Sequence, residues 1–335
     1  MNIINCILFF VAVIALIFSS SKDKTFNLQR SKLLKAILPY GIILGHISAY
    51  NINVFNVAIV GSFIVGVFFF ISAYGLECKR QAENIKIRGL LSRLFKLLLP
   101  LVVPIFLYID LLVLNKYNAE LIITENLRNY QLILPFTWFI IILAVFYAFF
   151  YFISTIKKIT NTWFFIILLI SVCVFSVANF ILFRESAYTN FSSLCFPAGV
   201  LYRQHETKIK EFLSKKVNYI FCFVVLLATG LFDHVHYLLP FTILIWSIVI
   251  IMLSTLFNVS SNRVLNFFSD ISYEVYICQG ITYLFIPQFF DKFNPIVHIT
   301  LTIILTIVIA ILCHFATWYF KRMISAIKWW ISNEW

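Results

Sequence analysis

Apolar runs near the length of a membrane span recur from one end of the chain to the other, separated by short polar stretches that hold most of the charge. Such runs suit α-helices crossing a bilayer, where each backbone N–H and C=O must be satisfied within its own segment. The polar–apolar alternation of a membrane barrel is absent. The pattern predicts spans at about 3–19, 36–52, 57–76, 97–114, 132–153, 163–183, 187–202, 218–233, 238–257, 269–290 and 296–320. The expected fold is all-α: a polytopic transmembrane bundle of about eleven helices, forming a single domain over 1–335. Residues 1–19 lack the positive n-region of a cleaved signal peptide and are read as a first span.

Charge then orients the bundle. Of the 26 Lys and Arg residues, all but Lys116, Arg128, Arg184 and Lys292 fall on loops of one side when these spans are threaded. The positive-inside rule puts that side in the cytoplasm, with the N-terminus outside and the C-terminus inside. One span more or fewer would scramble the bias. With 62% hydrophobic and 12% charged residues, and a mean hydropathy of +0.95, a soluble globular fold is excluded. The net charge of +12 is dispersed among loops rather than gathered on one face, which argues against nucleic acid as a partner. The seven cysteines lie mostly inside spans without paired spacing, so they read as small apolar residues and not as a disulfide framework or zinc site.

Three stretches carry candidate chemistry. In the second span, Lys35 and His46 are separated by eleven positions, which returns them to nearly the same helical face, roughly 16 Å apart along the axis. An ionisable group inside a span marks function by default, although an isolated His reads equally as a satisfied core residue. The third span closes on Phe69-Phe70-Ile71-Ser72-Ala73-Tyr74, whose Ser72 and Tyr74 are its polar members; alone this is ordinary small-residue packing. Ahead of Pro100, Arg93 and Lys96 are three apart and share a face at the entrance of the next span. Such cations suit a phosphate-bearing ligand, and equally serve as stop-transfer charge against anionic lipid. Asp233-His234-Val-His236 at an outer helix end reads as a wet interfacial cluster rather than a metal site. Asp270 and Glu274 are one turn apart and either line a cavity or tolerate exposure; His298 and His314 read as structural, and His205 as part of a basic loop.

In their order these stretches resemble the acyltransferase-3 family of membrane O-acyltransferases. Its basic residue, ten intervening residues and His stand here as Lys35 and His46, its Phe-Phe-x-x-Ser-Gly-Tyr-like segment as Phe69–Tyr74, and its Arg-x-x-Arg pair as Arg93 and Lys96. Pro135-Phe-Thr-Trp138 is similar to its His-x-Trp segment, and Phe191–Gly199 to its Phe-x-x-Gly span. Ile271-Ser-Tyr273-Glu274-Val-Tyr276-Ile-Cys-Gln279 is similar to its Ile-Ser-Tyr-x-x-Tyr-x-x-His signature. The resemblance covers about 30–320, with 3–19 added to a core of about ten helices. Lys96 replaces Arg, Ala73 replaces Gly, Thr137 stands where a His is usual and Gln279 replaces the late His, leaving His46 alone as a catalytic imidazole.

The resemblance implies an acyltransferase of a bacterial cytoplasmic membrane that moves acetyl from cytoplasmic acetyl-CoA to a hydroxyl of a cell-surface polysaccharide or its lipid-linked precursor. In that role His46 and Lys35 are the catalytic pair, while Arg93, Lys96, Ser72 and Tyr74 hold the donor. Trp138, Tyr273, Glu274, Tyr276 and Gln279 line the path for the glycan acceptor. The partners expected are acetyl-CoA, the glycan and membrane lipids, with no metal. A neutral His46 would act as general base, with an acetyl-His intermediate and direct transfer both open. The competing expectation is a transporter or flippase for a lipid-linked saccharide, which predicts repeated halves and polar groups spread over several spans. A polysaccharide polymerase is disfavoured because no outer loop is large.

Overall fold

The computed structural model describes residues 24–49, 60–83, 85–129, 131–182, 191–229, 238–290 and 295–333. The expected first span, 3–19, and the Asp233–His236 cluster lie outside the described residues. No strand occurs among the described residues, as a chain of apolar runs in a bilayer requires. Among the described residues, four helices are long and apolar enough to cross a membrane by length and composition: Val60–Ala82, Arg88–Leu114, Asn161–Leu182 and Ile296–Ile324.

Helix α1 (Leu28–Ala49) begins earlier than the hydropathy predicts, because the Asn27 side chain accepts the Arg30 N–H at 3.1 Å and caps its first turn. Lys35 is therefore inside a helix that also contains Pro39. Helix α2 (Val60–Ala82) is the hub, largely buried along its apolar stretch. The next span starts at charged Arg88 as α3 (Arg88–Leu98), then passes through a 3₁₀ turn at Leu99–Leu101 around Pro100 into α4 (Val102–Leu114). The expected outer loop folds a short helix of its own, α5 (Ala119–Arg128), capped by the Asn118 side chain on Leu121 N–H. Residues 132–137, expected in a span, form a non-helical connection ahead of α6 (Trp138–Ser154).

Helix α7 (Asn161–Leu182) turns most of its apolar surface outward, as a lipid-facing helix does. Helix α8 (Cys195–Gln204) is shorter than the expected 187–202 run and ends further along. The amphipathic α9 (Glu206–Leu213) meets α10 (Lys216–Thr229) at 101°, so the basic stretch between the two expected spans is itself helical. Helix α11 (Leu239–Ser254) follows. The expected 269–290 span splits at Ile271 into α12 (Arg263–Asp270) and α13 (Ser272–Phe290), and α14 (Pro295–Asn333) closes the bundle.

Small residues set the distances at the hub. A Cβ on Gly66 would lie 2.6 Å from Ser247 Oγ, and one on Gly199 only 2.3 Å from the Phe70 carbonyl oxygen. The second obstacle is backbone, so it cannot rotate away. Gly199→Ala is expected to force α2 and α8 apart and cost about 1–3 kcal/mol. The reading is the melting temperature of detergent-purified protein, and a wild-type melt would show that the two helices part without strain. Around the hub Phe69 packs on Phe139 and Phe146 at centroid distances of 4.8 and 5.3 Å, and Phe146 on Phe196 at 5.2 Å.

The basic end of the bundle is tied by a buried polar network. Glu77 is fully buried and takes Arg80 in a fork, Nε to Oε2 at 2.6 Å and Nη2 to Oε1 at 2.7 Å. Gln204 of α8 donates to the same carboxylate at 3.1 Å, and Arg80 also reaches Asn161 Oδ1 and lies over the Phe164 ring at 4.3 Å. Helices α2, α7 and α8 are joined there around one ion pair.

Candidate active site

His46 is held from three sides. Its Nδ1 lies 3.0 Å from Gln279 Oε1 on α13. An amide oxygen can only accept, so Nδ1 carries the proton and Nε2 keeps its lone pair. The Phe136 ring stacks on the imidazole at 4.0 Å and 22°, and the Tyr283 ring meets it edge-on at 6.4 Å. The Tyr283 hydroxyl donates to the Ile43 carbonyl at 2.8 Å, fixing α13 against α1 one turn before the imidazole.

Phe136 reaches its position through an unusual backbone. It has φ of 64°, a left-handed value that a bulky residue seldom adopts and that the surroundings must enforce. They do so at both ends of the residue: its N–H donates to Gln131 Oε1 at 2.6 Å, and its carbonyl accepts from the Tyr276 hydroxyl. Thr137, at the position where the family's His is usual, is buried and spends its hydroxyl on the same turn, accepting from Leu132 N–H and donating to the Leu134 carbonyl. Gly280 lets the turn close, since a Cβ there would strike Pro135 at 2.7 Å.

The wall beside the basic nitrogen is a glycine. A Cβ on Gly61 would lie 3.9 Å from His46 Nε2, an ordinary contact, and would meet nothing else within 4 Å. Gly61→Ala is thus expected to fold and melt like wild type while losing about tenfold or more in acyl transfer, because the methyl occupies the approach to Nε2. An active Gly61→Ala would mean that substrate reaches His46 from another side.

Toward the basic end, Lys35 has Arg93, Asp270 and Lys32 as electrostatic neighbours. Arg93 also acts on Tyr147, which hydrogen-bonds Ser72 and neighbours Tyr273. Arg93, Ser72 and Tyr273 are therefore neighbours of Tyr147, and Lys35 of Arg93, with Tyr273 fixed by its hydroxyl on the Leu97 carbonyl at 2.6 Å. Neither Lys35 nor Arg93 has a hydrogen bond or ion pair among the described residues, which leaves two cations available to an anionic ligand.

Other expected residues are placed differently. Lys96 is exposed while Arg93 is half-buried, so the two do not point into one recess. The Tyr74 hydroxyl lies 2.8 Å from Glu206 Oε1 and 2.5 Å from the Phe26 carbonyl, joining α2 to α9. Glu274 is buried against α14, where His314 Nδ1 stands 3.0 Å from its Oε1. Trp138 is buried at the start of α6, and Tyr276 works on the Phe136 carbonyl. Phe136, Tyr283 and Tyr147 escape a sequence reading because aromatic residues are too frequent in this chain to stand out, and Gly61 because its relation to His46 is not local in sequence. Among the described residues no group of three or more His, Cys, Asp and Glu is placed to hold a metal.

A family model described as Acyltransferase domain, that of the acyltransferase-3 family, matches residues 28–315. Neither a curated protein nor a solved structure gives a match. The matched region runs from the first turn of α1 far into α14 and contains His46, Gln279, Lys35 and Arg93, and on it the chain belongs to the acyltransferase-3 family.

Proposed function

We propose that this multi-pass membrane acyltransferase is an O-acetyltransferase, carrying acetyl from cytoplasmic acetyl-CoA to a hydroxyl of a surface polysaccharide or its lipid-linked precursor. The observation that carries the reading is the imidazole of His46, oriented through Nδ1 by Gln279 so that Nε2 is the basic atom, on the same helix as Lys35, a cation that neighbours Arg93. The CoA phosphates are assigned to Arg93 and Lys35, with Ser72 and Tyr147 beside the pantetheine arm. The arm spans the roughly 16 Å of helix between Lys35 and His46. His46 Nε2 takes the proton of the acceptor hydroxyl as its oxygen bonds to the thioester carbon; the C–S bond then breaks, and the proton passes to the departing CoA sulfur. The topology proposed with it is about eleven spans, N-terminus out and C-terminus in, in a bacterial cytoplasmic membrane.

The test is release of free CoA thiol from acetyl-CoA by purified protein in the presence of a polysaccharide acceptor. Arg93→Ala is expected to raise the KM for acetyl-CoA about tenfold or more, the worth of a charge-assisted hydrogen bond to phosphate, with the melt unchanged. An unchanged KM would reassign Arg93 to lipid contact, and no thiol release from the wild-type protein would remove the acetyltransferase reading.

A further inference from the structure

Gln279 has a second half that the orientation of His46 does not use. The residue is fully buried, its Oε1 is taken by His46 Nδ1, and its Nε2 has no hydrogen-bond partner among the described residues. A buried amide nitrogen left unpaired costs about 1–3 kcal/mol, and folded proteins seldom tolerate it without a use. This one is held beside the reacting imidazole by the very bond that orients that ring. Its two N–H groups can only donate, so what completes them is an acceptor atom.

We infer that the Gln279 side-chain N–H is the hydrogen-bond donor to the acyl carbonyl oxygen of the donor thioester, and so a catalytic residue in its own right. The inference rests on the acyl-transfer reading of the site. Two oxygens must come near His46 Nε2: that of the acceptor hydroxyl and that of the acyl carbonyl. The hydroxyl oxygen is the nucleophile, and a donor on its lone pair would hold back the electrons it must give. The carbonyl oxygen gains charge as the acceptor oxygen bonds to the acyl carbon and the C=O π pair moves onto it, so a donor there tightens in the transition state. When the C–S bond breaks, that pair returns, the carbonyl is re-formed as an ester, and sulfur leaves with the proton held by His46. The amide fits this task because it does not titrate: it serves imidazole and oxyanion together without competing for the proton. Where the family signature carries a His, Gln279 thus supplies an acceptor and a donor on one neutral group.

The probe is the ketone isostere of acetyl-CoA, with methylene in place of the thioester sulfur and ¹³C at the carbonyl, bound to the full-length protein in detergent. The infrared band of that carbonyl is expected at lower wavenumber in wild type than in Gln279→Met and Gln279→Glu. The glutamate variant keeps an acceptor for Nδ1–H and removes the N–H donor, separating ring orientation from oxygen binding. It also supplies the reading should the methionine variant not fold. Both variants are expected to lose about a hundredfold in kcat with little change in the KM for acetyl-CoA. If the isostere binds, wild type turns over acetyl-CoA and the band stays put in both variants, the carbonyl role is overturned and the acetyltransferase reading stands. If the isostere does not bind and wild type releases no thiol, that reading fails and takes this inference with it.

Discussion

His46→Ala is expected to lower acyl transfer by about 10²- to 10⁴-fold, the range over which a positioned general base acts. His46→Gln is expected to do the same while keeping a polar group for Gln279 and a flat surface against Phe136. The pair of variants matters because alanine also strands Gln279 Oε1, whose partner is His46 Nδ1 at 3.0 Å. A loss in alanine alone would report a damaged pocket; a loss in both, with normal expression and melting, reports the missing base. Acetyl esters on extracted glycan and thiol release from purified protein are the two readings. Full acetylation with both variants would take His46 out of the chemistry.

The largest loss of stability is expected from Arg80→Ala. The Glu77 carboxylate is fully buried and its two oxygens are gripped by one guanidinium at 2.6 and 2.7 Å. Removing that cation leaves a charge that Gln204 and Gln81, donating at 3.1 and 3.2 Å, cannot neutralise. Breaking a buried pair in this way costs about 3–5 kcal/mol. Replacing both partners together, Glu77→Met with Arg80→Met, is expected to cost less than Arg80→Ala alone, because no bare charge remains. Thermal melting in detergent decides it: a double variant no better than the single would show that Arg80 acts by packing on Phe164 at 4.3 Å rather than by neutralising Glu77.

Much of this molecule is legible in its sequence, for reasons that differ by residue. His46 stands out because an ionisable group is rare in an apolar run, and Lys35 because eleven positions bring it back to the same face. Arg93 is visible as a basic residue before a proline, but its burial and the exposure of Lys96 are not, since spacing of three fixes a shared face and not how far that face is covered. Gln279 is visible only as a departure; its two-sided role needs the imidazole packed against it. Tyr74 reads as donor-binding and Glu274 as pore-lining because each is polar in a greasy helix, yet each has a partner far along the chain, Glu206 and His314, that spacing cannot reveal. The helix starts at Arg88 and Glu206 were hidden because charge marks the end of an apolar run, whereas an amphipathic helix carries charge on one side without ending. The left-handed backbone of Phe136 is set by Gln131 and Tyr276 together, a condition no local pattern contains.

Pro39 gives α1 a property that neither of its ends would suggest. Proline brings no amide hydrogen, so the Lys35 carbonyl, four places back, is missing its rung in the helical ladder. A rod short of one rung pivots there more easily than elsewhere. The segment below the pivot carries the ammonium; the segment above carries the imidazole, clamped by Gln279 and Phe136. A pull on the lower segment is therefore expected to be taken up first at residue 39, ahead of the ring.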